Sequence, residues 1–233
     1  MVKRIELIPV EGVPEVRSGD ELGGMIVAAL ASSGESLIDG DVLVVTHKVI
    51  SKAEGRIAEV ASEEDYRKLV EDEAESIIRR RGDLVITKTR HGFICANAGV
   101  DRSNTAEGTA VLLPIEPDRS AHRLRVQIQH MFGVSIAVVV TDTFGRAWRR
   151  GLVDVAIGVS GLPAIVDLRG TTDAFGRVLD VTEIALVDEI AAAADLVMGK
   201  ASQVPAAILR GLTLTGDGRA TDLVRPPDED LFR

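Results

Sequence analysis

Apolar and polar positions fall in blocks along the chain, and the spacing within each block predicts its element. RIELIPV (4–10) predicts a first strand. In VPEVRSGDELGGMIVAALASSG, Leu22, Met25, Ile26, Ala29 and Leu30 recur at helical spacing, Ser18 and Glu21 have capping-box spacing, and Gly34 is a stop. DGDVLVVTHKVISKAEGRI predicts a turn, a buried strand and a polar exit. Residues 62–81 are charged but place Tyr66, Leu69, Val70, Ile77 and Ile78 on one face, which predicts a surface helix capped by Ser62. A hairpin is expected around Arg90-His91-Gly92, and a buried strand closed by prolines in GTAVLLPIEP. DRSAHRLRVQIQHMFG reads as an amphipathic helix with Leu124, Ile128 and Met131 inward and Gly133 as its stop. VSIAVVVTD is apolar enough to be a strand covered on both faces. Two short strands around Ser-Gly-Leu-Pro follow, then an alanine-rich helix over 180–198, a last core strand in PAAILRGLTLTG, and a polar, loosely held tail from Arg219.

These elements mix without strict alternation, repeat or linker, so the expected class is α+β, organised as one domain over 1–233. With 233 residues and 45% apolar content, the chain can bury a sizeable core. A formal charge of −9 argues against a general binder of nucleic-acid backbones, and 3% aromatic content argues against a base-stacking platform. One cysteine, Cys95, cannot form an internal disulfide and reads as a small core residue. The N-terminal residues lack the apolar run of a signal peptide and no window resembles a membrane span, so the expected location is the cytoplasm, away from membranes.

The chain has no phosphate-binding G-x-x-x-x-G-K-[ST], no dinucleotide fingerprint, no common zinc pattern and no serine-nucleophile elbow. Chemistry is left to Asp, Thr, Asn, Lys and Arg, which suit hard cations and phosphates. Four polar islands stand out. NAGVDRSN (97–104) is rich in oxygen donors for Mg²⁺ or Mn²⁺, and an Asx-turn network that closes a loop explains it equally well. TDTFGRAWRRG (141–151) sets Asp142 and Thr143 at the carboxyl end of a buried strand, beside Arg146, Arg149 and Arg150. The acid and hydroxyl suit a cation and the arginines suit phosphate oxygens; a helix cap with surface ion pairs is the plainer alternative. Lys48 and Lys52 follow another buried strand, either as phosphate contacts or as solvated lysines. In PVEGVPEV (9–16), Gly12 between two prolines makes a rigid turn whose amides could meet a ligand.

Together these islands resemble the coenzyme F420-0:L-glutamate ligase family. PVEGVPEVRSGD, DGDVLVVTHKVISKAEGRI, NAGVDRSN, VVVTDTFGRAWRRGLVDVAIGVSG, DLRGTTDAFGR, DEIAAAADLVMGK and VPAAILRGL match in order, across roughly residues 5–215. The resemblance implies an α+β fold of two intimately packed lobes with mixed and antiparallel sheets, and a homodimer with its site near the dimer interface. It implies a ligase that uses GTP and Mg²⁺ or Mn²⁺ to join L-glutamate to F420-0, then adds γ-linked glutamates through an acyl phosphate. It also admits a monovalent cation. Some relatives carry a C-terminal flavin-binding domain, which is not expected here. Glu11, Gly12, Val13 and Pro14 look like the first nucleotide-binding turn; His47, Lys52, Asn104 and the Met198-Gly199-Lys200 loop look like further nucleotide contacts. Asp101 and Asp142 resemble the carboxylate ligands of one metal, and Thr143 a contact of a second. Lys52, Arg146, Arg149 and Arg150 would stabilise the transferring phosphoryl group. Lys200 departs from the family, which has a metal-ligating glutamate there; a protonated lysine cannot ligate and would instead meet a phosphate. The alternatives are an amide ligase of the same fold for another carboxylate acceptor, and a GTP- and metal-binding protein without activity.

Overall fold

The long apolar runs of the chain become neighbours in one sheet. In a computed structural model that describes residues 4–213 and 215–230, the elements are β1 (Glu6–Pro9), α1 (Leu22–Ser32), β2 (Val42–Thr46), α2 (His47–Ala53), β3 (Ile57–Glu59), α3 (Glu63–Glu73), β4 (Ala74–Arg81), β5 (Leu84–Thr89), β6 (Ile94–Ala96), β7 (Thr109–Val111), α4 (Pro117–Phe132), β8 (Ala137–Gly145), β9 (Leu152–Ser160), β10 (Val166–Asp167), β11 (Glu183–Ile184), α5 (Leu186–Met198) and β12 (Ala206–Arg210). The central sheet has the order β1-β12-β2-β8-β9. Its neighbours are antiparallel except β2 and β8, which run parallel from Val42↔Ala137 to Thr46↔Thr141.

Both faces of this sheet are covered, which is why its strands read as unbroken apolar runs. Leu43, Val45, Val138, Val140 and Ile208 face a core shared with α1 and α4. Val42, Val44, Val139, Ala207 and Leu209 face the opposite core, against α5. A second lobe joins the three-stranded sheet β4-β5-β6, the pair β3-β7 and α3 around Val60, Val70, Val85, Val100 and Leu112. The fold is α+β, with mixed and antiparallel sheets, as expected.

Five local expectations are corrected. Ser18 does not cap α1: the helix starts at Leu22 and its N-cap, Glu21, makes no side-chain cap bond. Residues 17–20 close a turn in which Asp20 Oδ2 accepts from Arg17 N at 2.7 Å, and the free amide of Gly23 is met from α4 by Gln127 Oε1 at 3.1 Å. The helix expected over 62–81 ends at Glu73, and 74–81 is strand β4. Gly82-Asp83 makes a two-residue connection to β5, with Gly82 at φ 60°, and Arg81 pairs Leu84. Ile77 and Ile78 therefore stay partly exposed instead of sharing a helical face. Ser62 does cap α3, accepting from Asp65 N at 3.1 Å. The strand after Gly151 is not short: β9 pairs with β8 from Gly145↔Leu152 to Val138↔Ser160. The alanine-rich helix starts at Leu186, and the last core strand ends at Arg210. Leu214 of that expected strand, and Leu231–Arg233 of the expected tail, lie outside the described residues.

Candidate functional site

The parallel pairing of β2 and β8 ends at Thr46 and Thr141, and polar residues crowd the chain immediately beyond. Carboxyl ends of parallel strands leave a crevice because the connections diverge there. Here α2 leaves β2 with His47, Lys48 and Lys52, while β8 runs on through Asp142 and Thr143 into its hairpin with β9. A cavity of about 1070 Å³ opens at this point, lined also by the Val13–Glu15 turn, Asn104, Asp154, Asp195, the 198–200 loop and Gln203.

The two lysines of α2 are each paired with a carboxylate. Lys52 Nζ donates to Glu15 Oε1 at 2.6 Å. Lys48 Nζ donates to Asp101 Oδ2 and Ser103 Oγ, each at 2.7 Å. Burial pushes the Asp101 carboxyl up, but the Lys48 and Ser103 hydrogen bonds and the Lys48 charge outweigh it and hold the group below its ordinary value. Ser103 N donates to Asp101 Oδ1 at 2.6 Å, so the 97–104 loop does contain an Asx turn. Asp101 pairs with Lys48 beside the cavity and is not among its lining residues.

Three further carboxylates, Asp142, Asp154 and Asp195, line the cavity. Asp142 Oδ1 lies 3.3 Å from Nε2 of the fully buried His47, whose Nδ1 is 3.5 Å from Ser51 Oγ. His47 thus stands behind Asp142 and outside the cavity lining. Thr143 Oγ1 donates to Asp154 Oδ1 at 2.7 Å and Thr141 Oγ1 to Asp154 Oδ2 at 3.0 Å. Burial raises the Asp154 carboxyl; the threonine bonds oppose this, and the neighbouring Asp195 and Asp142 add to it. Cys95 is buried on β6, pushed up to about 12 chiefly by burial, and reads as structural. Two rim residues hold left-handed backbone, Asn104 at φ 55° and Gln203 at φ 57°, a conformation that non-glycine residues keep only where surroundings enforce it.

Of the residues expected from sequence, Val13, Pro14, Lys52, Asn104, Asp142, Thr143, Met198, Gly199 and Lys200 line this one cavity. Glu11 and Gly12 sit just outside it, in a turn where Gly12 has φ 76°. Asp142 and Thr143 are not at the end of β8; they lie within it, past the last residue that pairs β2. Arg146, Arg149 and Arg150 are brought elsewhere: all are exposed on the β8–β9 hairpin tip, where an Arg146 guanidinium N–H donates to Arg150 O at 2.8 Å. Sequence reasoning missed Glu15, Asp154 and Asp195. The available signal for Asp154 was a lone carboxylate in the apolar strand LVDVAIGV, because a buried acid needs partners.

No group of three or more His, Cys, Asp or Glu side chains suited to a metal ion occurs among the described residues. The oxygens present still fit a hard cation that keeps waters and takes only one or two protein carboxylates together with phosphates. Asp142 and Thr143 supply such a set at the cavity wall, and Asp101 would join it on leaving Lys48.

The family model described as F420-0:Gamma-glutamyl ligase matches residues 12–211. A coenzyme F420:L-glutamate ligase of Methanothermobacter thermautotrophicus is 43% identical, over 98% of this chain and 99% of the relative. Enzymes of that name from Methanopyrus kandleri and Archaeoglobus fulgidus are 43% and 40% identical, each over 99% of this chain and 97% of the relative.

Proposed function

The chain belongs to the F420-0:gamma-glutamyl ligase family, and we propose that it joins L-glutamate to F420-0 and then adds γ-linked glutamates, at the expense of GTP. The observation that carries this reading is one cavity lined by three lysines, Lys48, Lys52 and Lys200, together with the carboxylates Asp142, Asp154 and Asp195. Its volume of about 1070 Å³ lies at the top of the usual range of roughly 300–1,000 Å³ for ligand pockets, which suits two reactants side by side.

A carboxylate forms an amide only after it gains a leaving group. In the proposed route the acceptor carboxylate oxygen attacks the γ-phosphorus, and GDP leaves with the bridging oxygen. The glutamate amine then attacks the acyl carbon, and phosphate leaves with the C–O bond electrons. Lys52, already aimed across the cavity mouth by Glu15, would exchange that partner for a phosphate oxygen. Lys48 would do the same on leaving Asp101, and Lys200 would serve a phosphate from the opposite loop. Asp142 and Thr143 would hold Mg²⁺ or Mn²⁺, which when bound neutralises phosphate oxygens and polarises the phosphoryl group. His47 stands behind the Asp142 carboxylate, its Nε2 3.3 Å from Oδ1. A monovalent cation is compatible with the same oxygen-rich wall.

We further propose a homodimer in the cytoplasm. The β8–β9 tip projects with Trp148 89% exposed, and a second copy seated there would receive Arg146, Arg149 and Arg150 at its own phosphate site. No helix among the described residues is long and apolar enough to cross a membrane.

The acyl phosphate is tested by labelling the F420-0 carboxylate with heavy oxygen. Transfer of one label to the released phosphate supports it; unlabelled phosphate, with the lost label found in GMP or in water, refutes it.

A further inference from the structure

Asp154 is the most deeply placed acid of the cavity wall, only 5% exposed. It sits on β9 directly across from Thr143, with Thr141 two residues along, so the two threonines that flank Asp142 both donate to it. A threonine hydroxyl has one proton and two lone pairs. Committing the Thr143 proton to Asp154 leaves only lone pairs for the cavity. Without that acceptor the hydroxyl rotates freely, and its proton can point where an oxygen donor is needed. Groups that hydrogen-bond a metal ligand from behind set its orientation and basicity in this way.

We propose that Asp154 is a positioning residue that orients the Thr143 oxygen as a neutral ligand for the divalent cation beside Asp142. The proposal deepens the metal-dependent reading above and rests on it. Asp154 acts through Thr143, and Thr141 holds the second carboxylate oxygen so that the first cannot swing away.

The test is Mn²⁺ binding to the full chain in the presence of GTP, followed by the loss of the free Mn²⁺ paramagnetic resonance signal. Asp154→Asn keeps the shape of the side chain but offers a donor to one of the threonines. It is expected to weaken Mn²⁺ binding by roughly 10–100-fold, with unchanged thermal unfolding showing that the fold survives. Thr143→Val should weaken binding to a similar degree, and Asp154→Asn added to Thr143→Val should do nothing further. Thr143→Ser, which keeps the hydroxyl, should bind close to wild type. Wild-type affinity in Asp154→Asn overturns the proposal. So does an Asp154→Asn loss that persists in the Thr143→Val background, because Asp154 would then meet the metal itself. Wild-type protein that binds no Mn²⁺ with GTP present contradicts the metal reading as well, so the two failures are distinguishable.

Discussion

Lys48 Nζ lies 2.7 Å from Asp101 Oδ2, so a carboxylate expected to hold a metal is held by an ammonium instead. On the proposed reading, a cation that took Asp101 would free Lys48 for phosphate. Lys48→Met should raise Mn²⁺ affinity in the absence of nucleotide and lower GTP affinity, each by about tenfold, the worth of a charge-assisted hydrogen bond. Isothermal titration of each ligand alone checks both directions. Unchanged Mn²⁺ affinity would mean that Asp101 is not a ligand.

Lys52 and Asp142 both line the cavity, and each is expected to act on the phosphoryl group. Lys52→Ala or Asp142→Ala should lower kcat by roughly a thousandfold, the usual loss for one electrostatic donor, with little change in unfolding temperature. Steady-state kinetics with and without excess Mn²⁺ separates the two, because only the Asp142 variant should be partly relieved by added metal.

The exposed arginines give a test of shared sites. If Arg149 serves the second copy, mixing inactive Asp142→Ala with inactive Arg149→Ala subunits restores one intact site per mixed dimer, about a quarter of wild-type activity at random assortment. Two inactive proteins that stay inactive when mixed would place Arg149 outside the phosphate chemistry of a partner.

Stability rests on a different pair. Asp41 is fully buried and held by Arg210, with Nε at 2.9 Å from Oδ1 and a terminal nitrogen at 2.8 Å from Oδ2. The bond ties β12 to the start of β2. Arg210→Met strands the carboxylate, and urea denaturation should show a loss of about 3–5 kcal/mol. Ser62→Ala, which removes only the α3 cap, should cost about 1 kcal/mol.

The pH dependence has a definite sign. Burial holds the Asp188 carboxyl above its ordinary value, opposed by the hydrogen bond from Ala156 N. The folded state therefore binds more protons than the unfolded state between the unfolded aspartate pKa of about 3.9 and the raised folded one. The Asp188 contribution is present below that window and is lost as pH rises through the folded pKa. Asp188→Asn should flatten the fall in urea midpoint across the window. Asp101 is opposite: its pKa is lowered, so its contribution is present above the unfolded value and lost only as pH falls through the folded one.

Much of this was legible in the chain because burial writes a clear pattern. Val42–Val45 and Ala137–Val140 are continuous apolar runs because α1, α4 and α5 cover both faces of the sheet. Ser62 and Gly133 behave as helix signals because their bonds and backbone angles are local. Ser18 failed because residues 17–20 close a turn and the helix begins only at Leu22, beyond the reach of a Ser18 cap. Residues 74–81 were misread because the helical spacing of Tyr66, Leu69, Val70, Ile77 and Ile78 outweighed the Gly82-Asp83 turn that makes them a hairpin strand. The cavity lining was visible as separate islands, whereas the placement of Asp154 against Thr143 depends on the β8–β9 register and that of Arg146, Arg149 and Arg150 on the hairpin geometry beyond it.

The most direct measurement is phosphate release with GTP, Mn²⁺, L-glutamate and F420-0, leaving out one component at a time and weighing the acceptor by mass spectrometry. A ligase releases phosphate only with all components present, and the acceptor gains whole glutamyl units. Phosphate released without glutamate or acceptor, or GTP bound with no release under any combination, would contradict the proposed function.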